Sequence, residues 1–405
     1  MKRVVITGIG AFTPLGESFN LSWDGLISGR SGIRPIAGFD ASDLPWKMAG
    51  EVAETAPRVS AKERLRLDPF VQYAVASAVM AEEDGGLSSL PRSYLDACGV
   101  IMGSSRGGIT SLERALAAHQ AKPKKRMSAY LMPSTTIGMA AAAVSLRIGA
   151  KGHCMGISNA CASGANAVGE AFRLLRSGYT GPIIAGGSDA AVCRFSVEGY
   201  GAMGALSRRA DASASRPFDL QRDGFVLSEG SCVLMLEERE HALSRGADIH
   251  AEIIGYATSA DAFHQTRPHS GGEARCIAAA LADAGVSPED VSCITAHATG
   301  TVMGDAAECA ALEKVFGKGM GNTQVAALKS MTGHMLAASG AFEAAATAKA
   351  LKEGVTLPTI NLERKDPRCP VNTSPDACRA SLQIGISNSF GFGGVNSVIV
   401  LKRHS

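Results

Sequence analysis

One seventeen-residue segment occurs twice, once in each half of the chain. Ala162-Ser-Gly-Ala-Asn-Ala-Val-Gly-Glu-Ala-Phe-Arg-Leu-Leu-Arg-Ser-Gly178 can be laid on Ala338-Ser-Gly-Ala-Phe-Glu-Ala-Ala-Ala-Thr-Ala-Lys-Ala-Leu-Lys-Glu-Gly354. Both copies begin Ala-Ser-Gly-Ala and end Leu, basic residue, any residue, Gly. A helix with Ala, Ser and Gly over its first two turns has no large side chains to hold neighbours away, so it suits a site packed on every side. Placed once in each half, the repeat implies two related halves facing each other, with two helix N-termini meeting at the centre. Cys161 lies one residue before the first copy and His334 four before the second.

The surrounding pattern alternates strands and helices, as a layered α/β fold requires. Apolar, β-branched Val4–Ile9 stops at Gly10 like a buried strand. Further strands are expected at 98–102, 182–187 and 231–236, and helices at 18–29, 68–83, about 109–121, 137–148 and 162–175. Residues 38–60 read as loop and 237–245 as a charged helix. Arg245-Gly-Ala-Asp248 is the expected junction, giving halves 1–245 and 246–405. Beyond it come strands at 251–256, 291–295 and 325–328, helices at 272–284, 305–315 and 338–352, and a closing strand near 382–386.

Composition narrows the functional class. A net charge of +2 gives no global reason for nucleic-acid binding. No apolar run approaches the roughly 18 residues of a membrane span. Met1-Lys-Arg runs directly into the first core strand, unlike a secretion signal. None of the ten cysteines forms a CxxC pair, so no zinc site and no other metal is expected. Free thiols of this kind suit a reducing cytoplasm.

Cys161, in Gly156-Ile-Ser-Asn-Ala-Cys161-Ala-Ser-Gly-Ala165, ends a β-like run and stands before a helix. The helix macrodipole and free amide N–H groups at such a tip favour a thiolate. Two of the nine histidines follow short apolar strands in Gly/Thr-rich turns: Ala296-His297-Ala-Thr-Gly-Thr301 and Lys329-Ser-Met-Thr-Gly-His334. Strand ends are where α/β folds place their sites. One Cys facing two His suggests nucleophilic thiol catalysis with two imidazoles over a carbonyl. The blander reading is a buried structural cysteine with histidines bonded to backbone.

Taken with Ser215-Arg-Pro-Phe-Asp219, Arg222-Asp-Gly-Phe225, Pro358-Thr-Ile-Asn361 and Asn388-Ser-Phe-Gly-Phe-Gly-Gly394, these motifs resemble one family over essentially the whole chain. It is the elongating 3-oxoacyl-[acyl-carrier-protein] synthases of type II fatty-acid and polyketide systems, in the thiolase superfamily. The resemblance implies a thiolase-like five-layer α-β-α-β-α fold made of two similar halves. It implies that Cys161 carries the acyl group, that His297 and His334 stabilise the malonyl-derived enolate, and that Lys329 and Glu343 form an ion pair orienting the second histidine. Phe392, with Phe390 beside it, would supply the oxyanion and gating loop. Thr299 and Thr301 would bind the phosphopantetheine arm, which arrives on acyl carrier protein, with no cofactor bound to the enzyme itself. Phe225 and Arg106 would face substrate. Lys62, Arg66, Lys125 and Arg126 would dock the acidic carrier protein. A homodimer is implied, or a heterodimer with a chain-length-factor partner.

Arg106 departs from the pattern, standing where relatives usually have a small or aliphatic residue lining the acyl pocket. An unpaired guanidinium against an alkyl chain is costly. The expectation is that Arg106 turns away, that the pocket is short, or that it accepts a polar acyl group. Three alternatives are disfavoured by single residues. A chain-length factor lacks the nucleophile, a degradative thiolase has a cysteine in its C-terminal Gly-rich loop, and the chain-initiating class has Asn in place of His334.

Overall fold

The computed structural model describes residues 1–53, 56–124 and 126–404. Among them, one sheet contains ten strands. The first half supplies β1 (Val4–Phe12), β2 (Gly99–Gly103), β3 (Cys154–Ile157), β4 (Ile183–Asp189) and β5 (Gly230–Glu238). The second supplies β6 (Ala251–Ala260), β7 (Cys293–Thr295), β8 (Gln324–Ala326), β9 (Ile384–Gly391) and β10 (Val395–Lys402). Their order is β8-β7-β9-β10-β6-β1-β5-β4-β2-β3. Each half therefore repeats one topology, with β1 to β5 matching β6 to β10 in order and in parallel or antiparallel sense.

The match extends to single residues. The β1–β5 ladder slips at Thr7, between the pairs Ile6–Leu236 and Gly8–Met235. The β6–β10 ladder slips at Ile254, between Ile253–Leu401 and Gly255–Val400. A bulge kept at one place in both ladders sets the register. Leu236 thus corresponds to Leu401. Through their partners on the next strands, Ile183 corresponds to Gly385 and Asp189 to Gly391.

Among the described residues, the half-sheets pair with each other where Val4–Ile6 meets Ala251–Ile253. From that seam they wrap around two central helices, α3 (Ser163–Ser177) and α6 (Ala337–Glu353). Outside lie α1 (Pro69–Gly85) and α2 (Met139–Ile148) on one side, α4 (Ser270–Ala284) and α5 (Val302–Phe316) on the other. The result is the five-layer α-β-α-β-α arrangement. Side chains that alternate along each strand divide between cores. Ile183 and Ala185, Leu234 and Leu236, Ile399 and Leu401 face the central helices. Ile184, Val233 and Met235 face α1 and α2, while Val398 and Val400 face α4 and α5. Burial on both faces is why these strands read as unbroken apolar runs.

The two copies of the sequence repeat are α3 and α6, each closed by a left-handed glycine, Gly178 or Gly354. They cross at their N-termini. A methyl group on Gly164 would lie 2.1 Å from the Ala337 carbonyl oxygen, and one on Gly187 2.2 Å from the same atom. On Gly340 it would lie 2.7 Å from Ser389 Oγ and 2.9 Å from Ala165 Cβ. The small residues are there because backbone meets backbone.

Most expected elements form within a few residues of the expected limits. The exceptions have local causes. Residues 237 and 238 extend β5, because the buried Glu237 is held by Thr7 and Arg245. The last strand is β10, which sequence reading passed over. Phe392-Gly-Gly394 is the turn of the β9–β10 hairpin, with Gly393 and Gly394 at φ of +88° and +69°. Helices Leu131–Thr135 and Arg194–Ala202 were also unforeseen. Gly164→Ala should destabilise the protein by roughly 2–3 kcal/mol or more in urea unfolding, because backbone cannot retreat. Gly199→Ala, with nothing within 4 Å of a new methyl group, should be neutral or stabilise by up to about 1 kcal/mol.

Candidate active site

The chain enters each central helix through a strained residue. Ala160 has φ of +48° and Leu336 +50°, conformations that cost a non-glycine residue about 1–3 kcal/mol. On the repeat these two positions are equivalent, as are Cys161 and Ala337. Cys161 stands two residues before α3 begins. Its approach is braced by Ser163, whose hydroxyl accepts from Asn159 N at 2.8 Å and donates to Ala160 O at 2.6 Å. Burial pushes the Cys161 thiol up to about 12. The Lys329 ammonium and the N–H groups of Phe392 and Cys161 itself pull it down, while Asp189 pushes it up.

The histidines arrive from the other half. His334 Nε2 lies 2.9 Å from Cys161 Sγ, and its Nδ1 3.3 Å from Ser339 Oγ on α6. Its backbone is pinned on both sides: its N–H donates to Val226 O at 2.8 Å and its carbonyl accepts from Ser228 N at 3.0 Å. His297 stands two residues past β7, its ring 5.4 Å from that of His334 at 85°. Burial lowers both imidazoles well below their ordinary range, and the Lys329 ammonium adds to this. Both rings are therefore neutral near pH 7. Lys329 is fully buried and paired with Glu343, whose carboxyl burial raises against the pull of that ammonium.

A cavity of about 410 Å³ opens onto the thiol. Cys161, His297, His334, Phe225, Thr299, Thr301, Phe390 and Phe392 all line it. Phe225 packs edge-on against His334 at 5.3 Å, and Phe390 lies 6.0 Å from His297. Thr301 also has a structural task, capping α5 by accepting from Gly304 N at 3.1 Å. Lys329 and Glu343 stand behind the histidines and do not line the cavity.

Arg106 does not line it either, contrary to the expectation that it faces substrate. Its side chain is exposed and rests 6.0 Å from the centre of the Tyr200 ring, while its N–H is held by Asp189. Of the expected docking residues, Lys62, Arg66 and Arg126 are exposed, and Lys125 lies outside the described residues. Arg66 covers the half-exposed Tyr130 at 5.0 Å.

Glu308 belongs to the site and was missed from sequence. It accepts from His297 N at 2.9 Å, Ala298 N at 2.7 Å and Asn388 Nδ2 at 3.0 Å, so it holds the His297 turn in place. The available signal was the Asp305/Glu308 pair, three apart on the helix that follows the histidine turn. Among the described residues, no group of three or more His, Cys, Asp or Glu side chains is arranged to hold a metal ion.

A buried thiol at a strained helix tip, shared with neutral imidazoles from a second, similar half, can be set against known proteins. The family model for the β-ketoacyl synthase N-terminal domain matches residues 1–242, and that for the C-terminal domain residues 250–363. The chain belongs to the β-ketoacyl synthase family. Curated relatives named 3-oxoacyl-[acyl-carrier-protein] synthase 2 include one from Synechocystis sp., 43% identical over 100% of this chain and 98% of the relative. Another, from Coxiella burnetii, is 40% identical over 99% of each. Among solved structures, a type II polyketide acyl-carrier protein in complex with its ketosynthase bound to the hexaketide aligns with TM-score 0.91 at 33% identity, covering both chains fully. The ishigamide ketosynthase/chain length factor aligns with TM-score 0.92 at 35% identity, again over 100% of each chain.

In this β-ketoacyl synthase burial favours the thiol form of the resting cysteine. Its alkylation by iodoacetamide should accelerate steadily from about pH 7 to pH 10 rather than level off near neutrality. A plateau below about pH 8 in peptide-resolved mass spectrometry would contradict the burial argument.

Proposed function

We propose that this chain is a 3-oxoacyl-[acyl-carrier-protein] synthase, catalysing decarboxylative Claisen condensation in fatty-acid or polyketide chain elongation. The convergence of Cys161, His297 and His334 on one cavity, in a chain of this family, carries the reading.

Chemistry follows from the geometry. Cys161 Sγ attacks the acyl thioester delivered on acyl carrier protein. As the carrier's C–S bond breaks, the proton of the Cys161 thiol passes to the departing carrier thiolate, so the step is balanced without a change in charge on either imidazole. Malonyl carrier protein then enters and loses carbon dioxide. Neutral His297 and His334 donate N–H to the enolate oxygen, each donor worth about 3–4 kcal/mol of barrier. The enolate carbon attacks the Cys161 thioester, and the N–H groups of Cys161 and Phe392 hold the developing oxyanion. That attack forms the new C–C bond; collapse then breaks the bond to Cys161 Sγ and releases 3-oxoacyl carrier protein, and the thiolate left behind regains a proton from solvent. Lys329, by its charge, keeps both imidazoles neutral and therefore able to donate. Thr299 and Thr301 bond the 4'-phosphopantetheine arm, which belongs to the carrier.

Exposed Lys62, Arg66 and Arg126 beside exposed Leu65 and Met127 suit an acidic, partly apolar carrier surface. The enzyme works as a dimer built on the sheet edge at β3, which among the described residues pairs with β2 alone and exposes alternate residues. The partner is a second copy or a chain-length-factor-like subunit. Ten unpaired cysteines agree with a cytoplasmic location, and no helix among the described residues is long and apolar enough to cross a membrane. A specialised polyketide role is supported by the solved neighbours.

Cys161→Ala should abolish condensation. Cys161→Gln should leave a malonyl decarboxylase that is lost on further removal of His334. Substantial 3-oxoacyl product from pure Cys161→Ala protein sinks the nucleophile assignment. Mass spectrometry of the Cys161 peptide after exposure to a panel of acyl carrier proteins decides the pathway. Saturated chains of about twelve carbons mark fatty-acid elongation, and polar or unsaturated acyl groups mark the polyketide role.

A further inference from the structure

The two central helix tips are built alike and closed differently. Ala160 and Leu336 share their strained backbone, and Cys161 corresponds to Ala337. Strand register makes Asp189, at the end of β4, the counterpart of Gly391, at the end of β9. Each of these positions faces the other half's helix tip. Asp189 Oδ2 accepts from Ala337 N at 2.9 Å. A Cβ on Gly391 would lie 3.3 Å from Cys161 N. One tip therefore has its first amide taken by a carboxylate. The other keeps its amide directed at the thiol, because glycine has no side chain to offer.

Asp189 is fully buried, and among the described residues it has no cationic partner within ion-pair distance. It accepts instead from Ser104 Oγ at 2.8 Å, Ser105 N at 3.0 Å and Arg106 N at 3.0 Å, besides Ala337 N. These donors come from the turn after β2 and from the first residue of α6. Ala337 follows Leu336, which packs with Cys161 and Phe225, and stands three residues from His334. The His334 turn is thus held at one end by Val226 and Ser228 and at the other by Asp189.

We propose that Asp189 is a positioning residue: it closes the twin of the catalytic helix tip, where Gly391 leaves Cys161 open, and so sets the reach of His334 to the thiol. This rests on the role given to His334 above.

Asp189→Asn isolates the tether. The amide oxygen, in place of Oδ1, can still accept from Ser104 Oγ, from Ser105 N at 3.1 Å and from Arg106 N, while the NH2 group, in place of Oδ2, faces the N–H groups of Ala337 and Ser105; Ser105 keeps its second acceptor and the bond to α6 is lost outright. In the full-length enzyme, kcat for malonyl carrier protein decarboxylation should fall by about tenfold or more, with KM within about twofold. Acylation of Cys161 should stay within about threefold of wild type. Asp189→Ser, which avoids the amide clash, should show the same split. Equal loss of both half-reactions, unchanged decarboxylation, or failure of both variants to fold would each overturn the proposal. His334→Ala, assayed in parallel, separates the two claims. If it keeps decarboxylation the His334 role fails; if it loses decarboxylation while Asp189→Asn does not, only the tether fails.

Discussion

Everything in the site depends on two helices touching without side chains between them. Gly164, Gly187 and Gly340 let the backbones of α3, β4 and α6 approach to a distance that even one methyl group would prevent. That contact brings the two helix tips to one point. Since each tip belongs to a different half, it also brings a thiol from one half within hydrogen-bond distance of an imidazole from the other. Leu336 is held in its strained conformation by burial, and the half-buried Ala160 by the Ser163 hydroxyl, which bridges Asn159 N and the Ala160 carbonyl.

Charge is arranged around the contact with economy. Lys329 is a buried ammonium whose field lowers the thiol and both imidazoles together. Negative groups nearby are occupied by backbone. Glu308 takes the N–H groups of the His297 turn, Asp305 those of Gly300 and Phe218, and Asp189 that of Ala337. Each carboxylate fixes a turn, its oxygens taken up by backbone N–H groups. Burial that would weaken a general base here favours neutral hydrogen-bond donors, which enolate chemistry needs.

Much of this was legible in the chain. The repeated Ala-Ser-Gly-Ala segments announced two equivalent helices, and Cys161, His297 and His334 stood at strand or helix ends in small-residue turns. Strands buried on both faces were plain as apolar runs. Less visible were β10, hidden behind a glycine turn that reads as a loop motif, and Glu308, an ordinary acidic residue on an ordinary helix until His297 is folded against it. Arg106 is a case the pattern left open among three alternatives: its N–H is claimed by Asp189 and its exposed side chain rests over Tyr200.

The sequence by itself determined the two-half architecture, the central helices and the identity of the reacting groups, because periodicity and small-residue runs are local properties. Only the tertiary structure decided which amides remain free and which are capped. That depends on Asp189 facing Ala337 and Gly391 facing Cys161, contacts between residues about 150 and 230 positions apart, which no local pattern encodes. The two halves share a fold, and one side chain's presence or absence at the crossing separates the closed tip from the reactive one.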